Sequence, residues 1–181
     1  MAESFTNKIV RAAGIVSTTD AGAAIGAGAS AITSIQTADL NVGDLVVNQN
    51  FRAGAKIHSI TNATSVLVDR SSTNTSAATG QIVKFLGVTT AFTSAAATKS
   101  ILIGGTFANN TASSVNLTVE IHDASAGVQA ALASKIPVPT GSSFVISDAG
   151  KTVLETSDEL RVYCDANDAV DVSLGILKGV S

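Results

Sequence analysis

Apolar and polar residues alternate one by one along much of this chain, which restricts it to extended structure. The clearest case is Val115–Ile121 (VNLTVEI), where an apolar residue occupies every second position. Successive side chains of a strand point to opposite faces of a sheet, so this pattern buries one face and leaves the other in water. Leu160–Cys164 and Val170–Ile176 repeat the alternation near the C-terminus. The chain is therefore predicted to be all-β.

Other segments have the composition of strands and are separated by turn residues. Further strands are expected at Lys8–Val16, Asp44–Val47, Ala55–Ile60, Ser65–Arg70, Gln81–Leu86, Lys99–Phe107, Gln129–Val138, Ser143–Ile146 and Lys151–Leu154. Turn chemistry is indicated at Asn109-Asn110, Thr140-Gly141-Ser142 and Asp148-Ala149-Gly150. Strands at this spacing are typical of a β-sandwich or a small barrel.

One segment is compatible with either a helix or a strand. Ser125–Ser134 is rich in alanine, which favours a short helix. However, Val128, Ala130 and Leu132 alternate, and Pro137 follows closely. Proline is tolerated on the edge of a sheet, so an extended edge strand is the favoured interpretation.

Two segments of different texture divide the chain. Ala21–Ala31 (AGAAIGAGASA) is a low-complexity stretch and Ser71–Gly80 is a polar one, and both are expected to be mobile loops or linkers. The residues between them have the character of a compact β unit. We expect residues 17–86 to form a small inserted β-barrel-like domain. Residues 1–16 and 87–181 are then expected to form a β-sandwich or jelly-roll-like core, because insertion at a hairpin tip costs little closure entropy.

Charge and cysteine content exclude several classes of function. Charged residues make up 14% of the 181 residues and the net charge is −3, so no basic excess exists to neutralise nucleic-acid phosphates. A single cysteine excludes an intrachain disulfide and a multi-cysteine zinc site. No apolar run approaches the ~20 residues of a membrane helix, and no apolar segment follows a basic start as in a secretory signal. The expectation is a soluble protein made in the cytoplasm, with no nucleic-acid or membrane partner.

Catalytic and metal-binding combinations can be drawn, but packing explains the same residues better. His58, His122 and Asp123 could be combined as metal ligands, although they lack the spacing of a zinc site. Cys164 with His122 could be drawn as a nucleophile and base. Cys164 falls in register with the apolar residues of Leu160–Cys164, which favours a small buried side chain instead. No catalytic, cofactor or metal site is predicted, and the chain is expected not to be an enzyme.

Acidic residues and glycines also have structural interpretations. Possible calcium ligands are Glu155, Asp158, Glu159, Asp165, Asp168 and Asp171. They lack the glycine and the distal glutamate of a calcium loop, and are interpreted as turn formers and edge residues. Gly22, Gly26 and Gly28 do not have the spacing of a dinucleotide-binding loop. Sugar sites usually use aromatic platforms, and aromatic residues are only 4% of this chain.

The remaining pattern favours assembly. Small, weakly charged side chains lose little entropy on docking, and free edge strands need protection. A second copy of the chain is one obvious protector. The residues expected to make partner contacts are an N-terminal arm, Ala2–Lys8, and the Gly/Ala segment Ala21–Ala31.

Several segments resemble small virion structural proteins of tailed bacteriophages, particularly of the marine or cyanobacterial type. They are TNKIVR at Thr6–Arg11, KSILIGGTFANN at Lys99–Asn110, SSVNLTVEIHDASAG at Ser113–Gly127, IPVPTGSSFVI at Ile136–Ile146, KTVLETSDELRVYCDAND at Lys151–Asp168 and AVDVSLGILKGVS at Ala169–Ser181. The resemblance does not cover residues 17–86, in keeping with an insertion there. It implies a short β-sandwich chain that is located in the particle and has no enzymatic activity.

These observations lead to one main hypothesis and two alternatives. The main hypothesis is a capsid decoration or cement protein, a homotrimer located in the virion and bound to the major capsid protein. The first alternative is a neck or tail structural or adaptor protein of the same particle. The second is an adhesin or carbohydrate-binding module.

Overall fold

Strands make up all of the regular secondary structure in the described part of the chain. The computed structural model describes residues 3–147 and 151–180, which contain fifteen strands and no helix. The strands are β1 (Ser4–Ala13), β2 (Ile15–Ile25), β3 (Ala31–Thr33), β4 (Leu45–Val47), β5 (Ile57–Asn62), β6 (Ser65–Val68), β7 (Ala78–Gly87), β8 (Thr89–Thr93), β9 (Lys99–Asn109), β10 (Val115–Asp123), β11 (Val128–Val138), β12 (Ser143–Ile146), β13 (Thr152–Leu154), β14 (Glu159–Cys164) and β15 (Val170–Val180). The all-β prediction is confirmed. Ala2 and the turn expected at Asp148-Ala149-Gly150 lie outside the described residues.

The chain forms two compact units. Met1–Gly14 and Thr89–Ser181 form the first, here called the sandwich unit, and Ile15–Val88 form the second, here called the insert. The expectation from the sequence had these boundaries after residues 16 and 86. No helix that is long and apolar enough to cross a membrane occurs within residues 3–147 and 151–180.

The sandwich unit has the strand order of a jelly roll. One sheet has the order β1-β15-β9-β12, with β13 also paired to β9, and the other has the order β11-β10-β14-β8. The antiparallel pairs are nested along the chain: β1 with β15, β8 with β14, β9 with β12 and β13, and β10 with β11. Nested hairpins folded into two sheets are the jelly-roll arrangement. This confirms the expected sandwich.

The core of the sandwich unit follows from the period-two alternation. Its largest fully buried side chains include Leu102, Phe107, Leu117, Leu154, Leu160 and Leu174. The rings of Phe107 and Phe144 pack with centroids 6.1 Å apart. Burying a leucine or phenylalanine side chain contributes about 1.5–3 kcal/mol, so these inward residues hold the two sheets together.

The insert is a small barrel-like sheet with its own core. Its strand order is β4-β7-β2-β3-β6-β5. The two ends of this order meet at an antiparallel bridge between Leu45 and Lys56. Ile57 donates a backbone hydrogen bond to the Asp44 carbonyl oxygen and accepts one from Gly43, both at 2.9 Å. Closure of the ladder leaves no long free edge in this unit.

Three local expectations are corrected by the structure. Ala21–Ala31 is not a mobile loop throughout, because β2 continues to Ile25 and buries both Ala23 and Ile25. Small side chains are typical of linkers, but they are also compatible with a strand that pairs with β7. Lys8–Val16 is not one strand: Gly14 separates β1 from β2. The polar segment Ser71–Gly80 ends in strand, because β7 begins at Ala78.

We expect the sandwich unit to fold without the insert. Within the sandwich unit, the Gly14 backbone N–H donates to Thr89 Oγ1 at 3.2 Å, so the two cut ends already meet. Replacing Ile15–Val88 by a Gly-Ser dipeptide should change the free energy of unfolding of the remaining unit by less than about 2 kcal/mol, because a short closed loop costs little. Tyr163 is the only tyrosine and is buried, so its fluorescence during urea unfolding reports this. An unfolded or aggregated product would contradict the expectation.

Candidate functional site

The structure separates the residues that could have formed a nucleophilic site. Cys164 is fully buried in the sandwich core, where it pairs with Leu117 in the β10–β14 ladder. His122 pairs with Glu159 in the same ladder, five positions away. Five positions along a strand is about 17 Å, and an odd separation places the two side chains on opposite faces. His122 therefore cannot act as a base for the Cys164 thiol.

Two of the three candidate metal ligands, His122 and Asp123, have hydrogen-bond partners in the sandwich unit, and His58 belongs to β5 of the insert. Asp123 Oδ1 accepts hydrogen bonds from Ser125 Oγ at 2.7 Å and from the backbone N–H groups of Ser125 and Ala126 at 2.9 Å. The hydroxyl of Ser125, and then the N–H of Ala126, lower the pKa of Asp123 below its ordinary value. His122 Nδ1 lies 3.1 Å from Gln129 Nε2. Within residues 3–147 and 151–180, no group of three or more His, Cys, Asp or Glu residues is arranged to hold a metal ion.

The acidic residues considered as calcium ligands take part in turns and strand contacts. Asp158 Oδ2 accepts the backbone N–H of Glu155 at 2.9 Å, and its Oδ1 accepts that of Ala124 at 3.0 Å. Asp44 closes a similar turn in the insert by accepting the N–H of Asn41 at 3.0 Å. These carboxylates satisfy backbone donors that the turns would otherwise leave unpaired.

Asp165 and Asp171 join the ends of neighbouring strands. Asp165 bonds both the backbone and the side chain of Asn116, at 2.7 and 2.8 Å. Asp171 Oδ1 accepts the N–H of Ala12 at 2.9 Å. This bond, followed by one from the Asn110 side chain, lowers the pKa of Asp171. Both carboxylates are therefore used within the sandwich unit.

The second sheet contains a buried polar pair, Tyr163 and Glu120, that the sequence pattern does not predict. Tyr163 donates its hydroxyl to Glu120 Oε1 at 3.0 Å, and both side chains are almost fully buried. Nearby, Arg161 Nε contacts Glu159 Oε2 at 2.7 Å. Glu120 and Tyr163 come from strands about forty residues apart, so only the β10–β14 register reveals the contact. A hydrogen-bonded buried carboxylate of this kind orients the strands that carry it.

The outer face of the first sheet carries exposed apolar side chains. One cross-strand row contains Phe5, Leu177, Ile101 and Val153, and a second contains Ile9, Ser173, Thr106 and Val145. The side chains of Phe5, Ile9, Val145 and Val153 are 79%, 65%, 54% and 51% exposed. We call these four residues, together with Ile101 and Leu177, the apolar face. Alternation along each strand turns them away from the core.

The described cross-strand rows of the apolar face contain no charged residue. The cross-strand row between the two apolar rows contains Asn7, Gly175 and Gly104. Charged residues lie two positions along the chain from residues of these rows; they are Glu3, Arg11, Lys99, Lys151, Glu155 and Asp171, of which Lys99 and Glu155 pair at 3.1 Å. Four strands and a four-residue separation between rows give a patch on the order of 400 Å². Patches of this size often mark interaction sites.

The proposed contact residues at the N-terminus belong mostly to a strand. Ser4–Lys8 lie in β1, which pairs only with β15 and so forms one edge of the first sheet. This part of the predicted arm is therefore not free chain, although Phe5 from it belongs to the apolar face. β11 forms an edge of the second sheet, which confirms the extended edge strand favoured for Ser125–Ser134 from Val128 onward, whereas residues 125–127 lie in the turn before it.

Comparison with known proteins gives only distant likenesses. No protein-family model matches the chain, and no curated protein matches it. The structure entitled "Crystal structure of the T13 IBDV viral particle" includes a chain that is 9% identical with a TM-score of 0.36, and the match covers 98% of this chain and 68% of that one. A chain of infectious bursal disease virus Gt strain is 11% identical with a TM-score of 0.31, and the match covers 98% and 71%. Both are chains of virus structures, but at these scores the likeness establishes neither a shared fold nor a shared function.

Proposed function

We propose that this chain is a structural protein of a virus particle, and specifically a decoration or cement protein on the capsid of a tailed phage. The observation that carries the proposal is the apolar face: an exposed, charge-free sheet surface on a jelly-roll sandwich. The sequence resemblance to virion structural proteins of tailed phages supports the particle as its location. The proposal contains no catalytic step.

The jelly-roll fold is compatible with several classes of function. Jelly rolls occur in capsid proteins, lectins and cupins, so the architecture alone does not decide between them. A cupin-type metal centre needs clustered ligands, and the described residues contain no such cluster. A surface that buries apolar side chains against another protein is the use that the apolar face supports best.

The occupant proposed for the apolar face is the outer surface of the major capsid protein. Phe5, Ile9, Val145 and Val153 are the exposed side chains that would enter the contact. A charge-free face requires no matching charge pattern on the partner, and its small neighbours lose little entropy. Burial between capsid subunits would add contact area across the shell and stabilise it against internal pressure.

The size of the apolar face favours attachment of more than one copy at a time. A standard interface buries about 800 Å² on each partner, and the apolar face is about half of that. A homotrimer would present three such faces, and linked contacts bind far more tightly than single ones. We therefore propose a homotrimeric unit on the shell.

The location and number of copies in purified particles test this function. Cryo-electron microscopy and quantitative mass spectrometry should find the chain on the capsid surface in numbers comparable to the capsid subunits. About six or twelve copies, as in a closed ring, would instead place it at the neck or tail. A chain that is absent from particles would contradict both virion roles.

A further inference from the structure

The insert contains a groove lined by side-chain amides. A cavity of about 400 Å³ is lined by Asn48, Gln49, Gly80, Gln81 and Ile82. These residues come from the segment that follows β4 and from the first half of β7. None of them is ionisable, so the groove is neutral.

Three carboxamides in this region hold one another in fixed orientations. Gln81 Oε1 accepts hydrogen bonds from Gln49 Nε2 and Asn50 Nδ2, both at 3.2 Å. Gln81 Nε2 donates to the backbone carbonyl of Thr79 at 3.2 Å. Two donors on one oxygen and a carbonyl acceptor for the nitrogen define which way the Gln81 amide points.

The segment after β4 is itself anchored to β7. Asn48 is almost fully buried; its Nδ2 donates to the Ile82 carbonyl at 2.8 Å, and its Oδ1 accepts the Asn50 N–H at 2.8 Å. The side chains of Gln49 and Asn50 therefore extend from a braced backbone. A site that is organised before binding loses less entropy when a ligand arrives.

The unused hydrogen-bonding capacity is of both kinds. A carboxamide offers two donor hydrogens and an oxygen with two lone pairs. The described hydrogen bonds use one hydrogen each on Gln49, Asn50 and Gln81, and none of them uses Gln49 Oε1 or Asn50 Oδ1. Paired donors and acceptors at a neutral surface match adjacent hydroxyl groups, each of which both donates and accepts.

The groove is also lined by an exposed apolar side chain, Ile82, and by a glycine, Gly80, whose backbone is accessible. Ile82 is 64% exposed. At Gly80 no heavy atom lies within 4 Å of the position that a Cβ would occupy, so a ligand can approach the backbone closely. An apolar wall beside amides suits a sugar ring, which has C–H faces as well as hydroxyls.

We propose that this amide groove binds neutral carbohydrate. Ile82 takes the place of the aromatic platform that many sugar sites use, so the affinity of one groove is weak, with a Kd of about 1 mM. Display of many copies on a particle would raise the avidity. The groove itself does not depend on the proposed virion function; only the gain from multivalency does.

Nuclear magnetic resonance on the full chain tests the proposal. The side-chain amide signals of Gln49, Asn50 and Gln81 are followed while dextran, mannan or galactan oligosaccharides are added, with oligogalacturonate as an anionic comparison. At least one neutral probe should shift these signals. Gln81→Glu removes a donor and adds a charge next to the other amides, and should weaken binding about tenfold or more. Gln36→Glu makes the same change at an exposed position on the insert and should leave binding unchanged.

Three results would overturn the proposal. They are no shift of these signals with any neutral probe, a stronger response to the anionic comparison, and equal weakening by the two glutamine variants. Retained dispersion of the backbone signals shows that each variant is folded. Occupancy of particles by Gln81→Glu is measured separately and should equal that of the unchanged chain. A failed sugar site is thereby distinguished from a failed virion role.

Discussion

If the proposed shell contact is right, a carboxylate on the apolar face is expected to detach the protein from the particle without unfolding it. Ile9→Asp and Val145→Asp each place a charge in the second row of this face. If the row is buried against the shell, each unpaired carboxylate costs about 3 kcal/mol of binding, which is about a 100-fold loss of affinity. Ile9 and Val145 are more than half exposed in the chain itself, so the free energy of unfolding should change by less than about 1 kcal/mol.

The matched control is Val42→Asp. Val42 is 65% exposed, like Ile9, but it lies in the insert. Co-sedimentation with particles that lack the chain measures binding, and sedimentation equilibrium measures the oligomeric state. Binding equal to that of the unchanged chain would remove the apolar face as the shell contact. If the face variants become monomeric while the control remains trimeric, the face joins copies of the chain to each other instead.

The second large effect is expected at Gly14, where β1 ends. Gly14 has a φ of 121°, which side chains other than hydrogen rarely adopt. A Cβ at this position would lie 2.4 Å from the Ala166 carbonyl oxygen and 3.0 Å from Cys164 Cβ. Backbone strain and the clash with a backbone atom add, so Gly14→Ala should lower the free energy of unfolding by about 3 kcal/mol or more.

Gly127→Ala is the control that separates the effect of backbone strain from the effect of the steric clash at Gly14. Gly127 also belongs to the sandwich unit and has a φ of 66°, but no heavy atom lies within 4 Å of its would-be Cβ. Its substitution should cost only about 1 kcal/mol. Urea unfolding followed by Tyr163 fluorescence compares the two variants. Equal losses would mean that the contact with Ala166 does not matter.

Alternation and strand composition together predict most of the strands, because burial on one face of a sheet selects apolar and β-branched residues directly. Val115–Ile121 lies within β10, and Ser143–Ile146 coincides with β12. Strands are not predicted where the residues are small and do not alternate between apolar and polar. Ala21–Ile25 consists of alanine and glycine apart from Ile25, and its strand is fixed by pairing with β7 rather than by its own pattern. Thr89–Thr93 was missed for a related reason, since threonine suits both strands and polar loops.

The candidate surfaces were beyond sequence reasoning because they depend on register. Phe5 and Val153 are almost 150 residues apart and enter one row only through the pairing of β15 and β9. Alternation shows that a strand has two faces, but a short apolar residue on the outer face looks like one on the inner face. The amide groove has the same origin: Gln49 and Gln81 are distant in the chain and meet only after β4 pairs with β7.

The hydrogen bond between Gly14 and Thr89 brings together the two ends of the sandwich unit between which the insert is placed, and this favours replacement of the insert. Ile15 and Gly87 are paired in the β2–β7 ladder, so the insert also begins and ends at neighbouring points. Two modules whose termini both meet can be spliced with few constraints on what is spliced in. The sandwich unit is thus suited to act as a carrier: foreign domains with closely spaced ends could replace the insert and be displayed by the same scaffold.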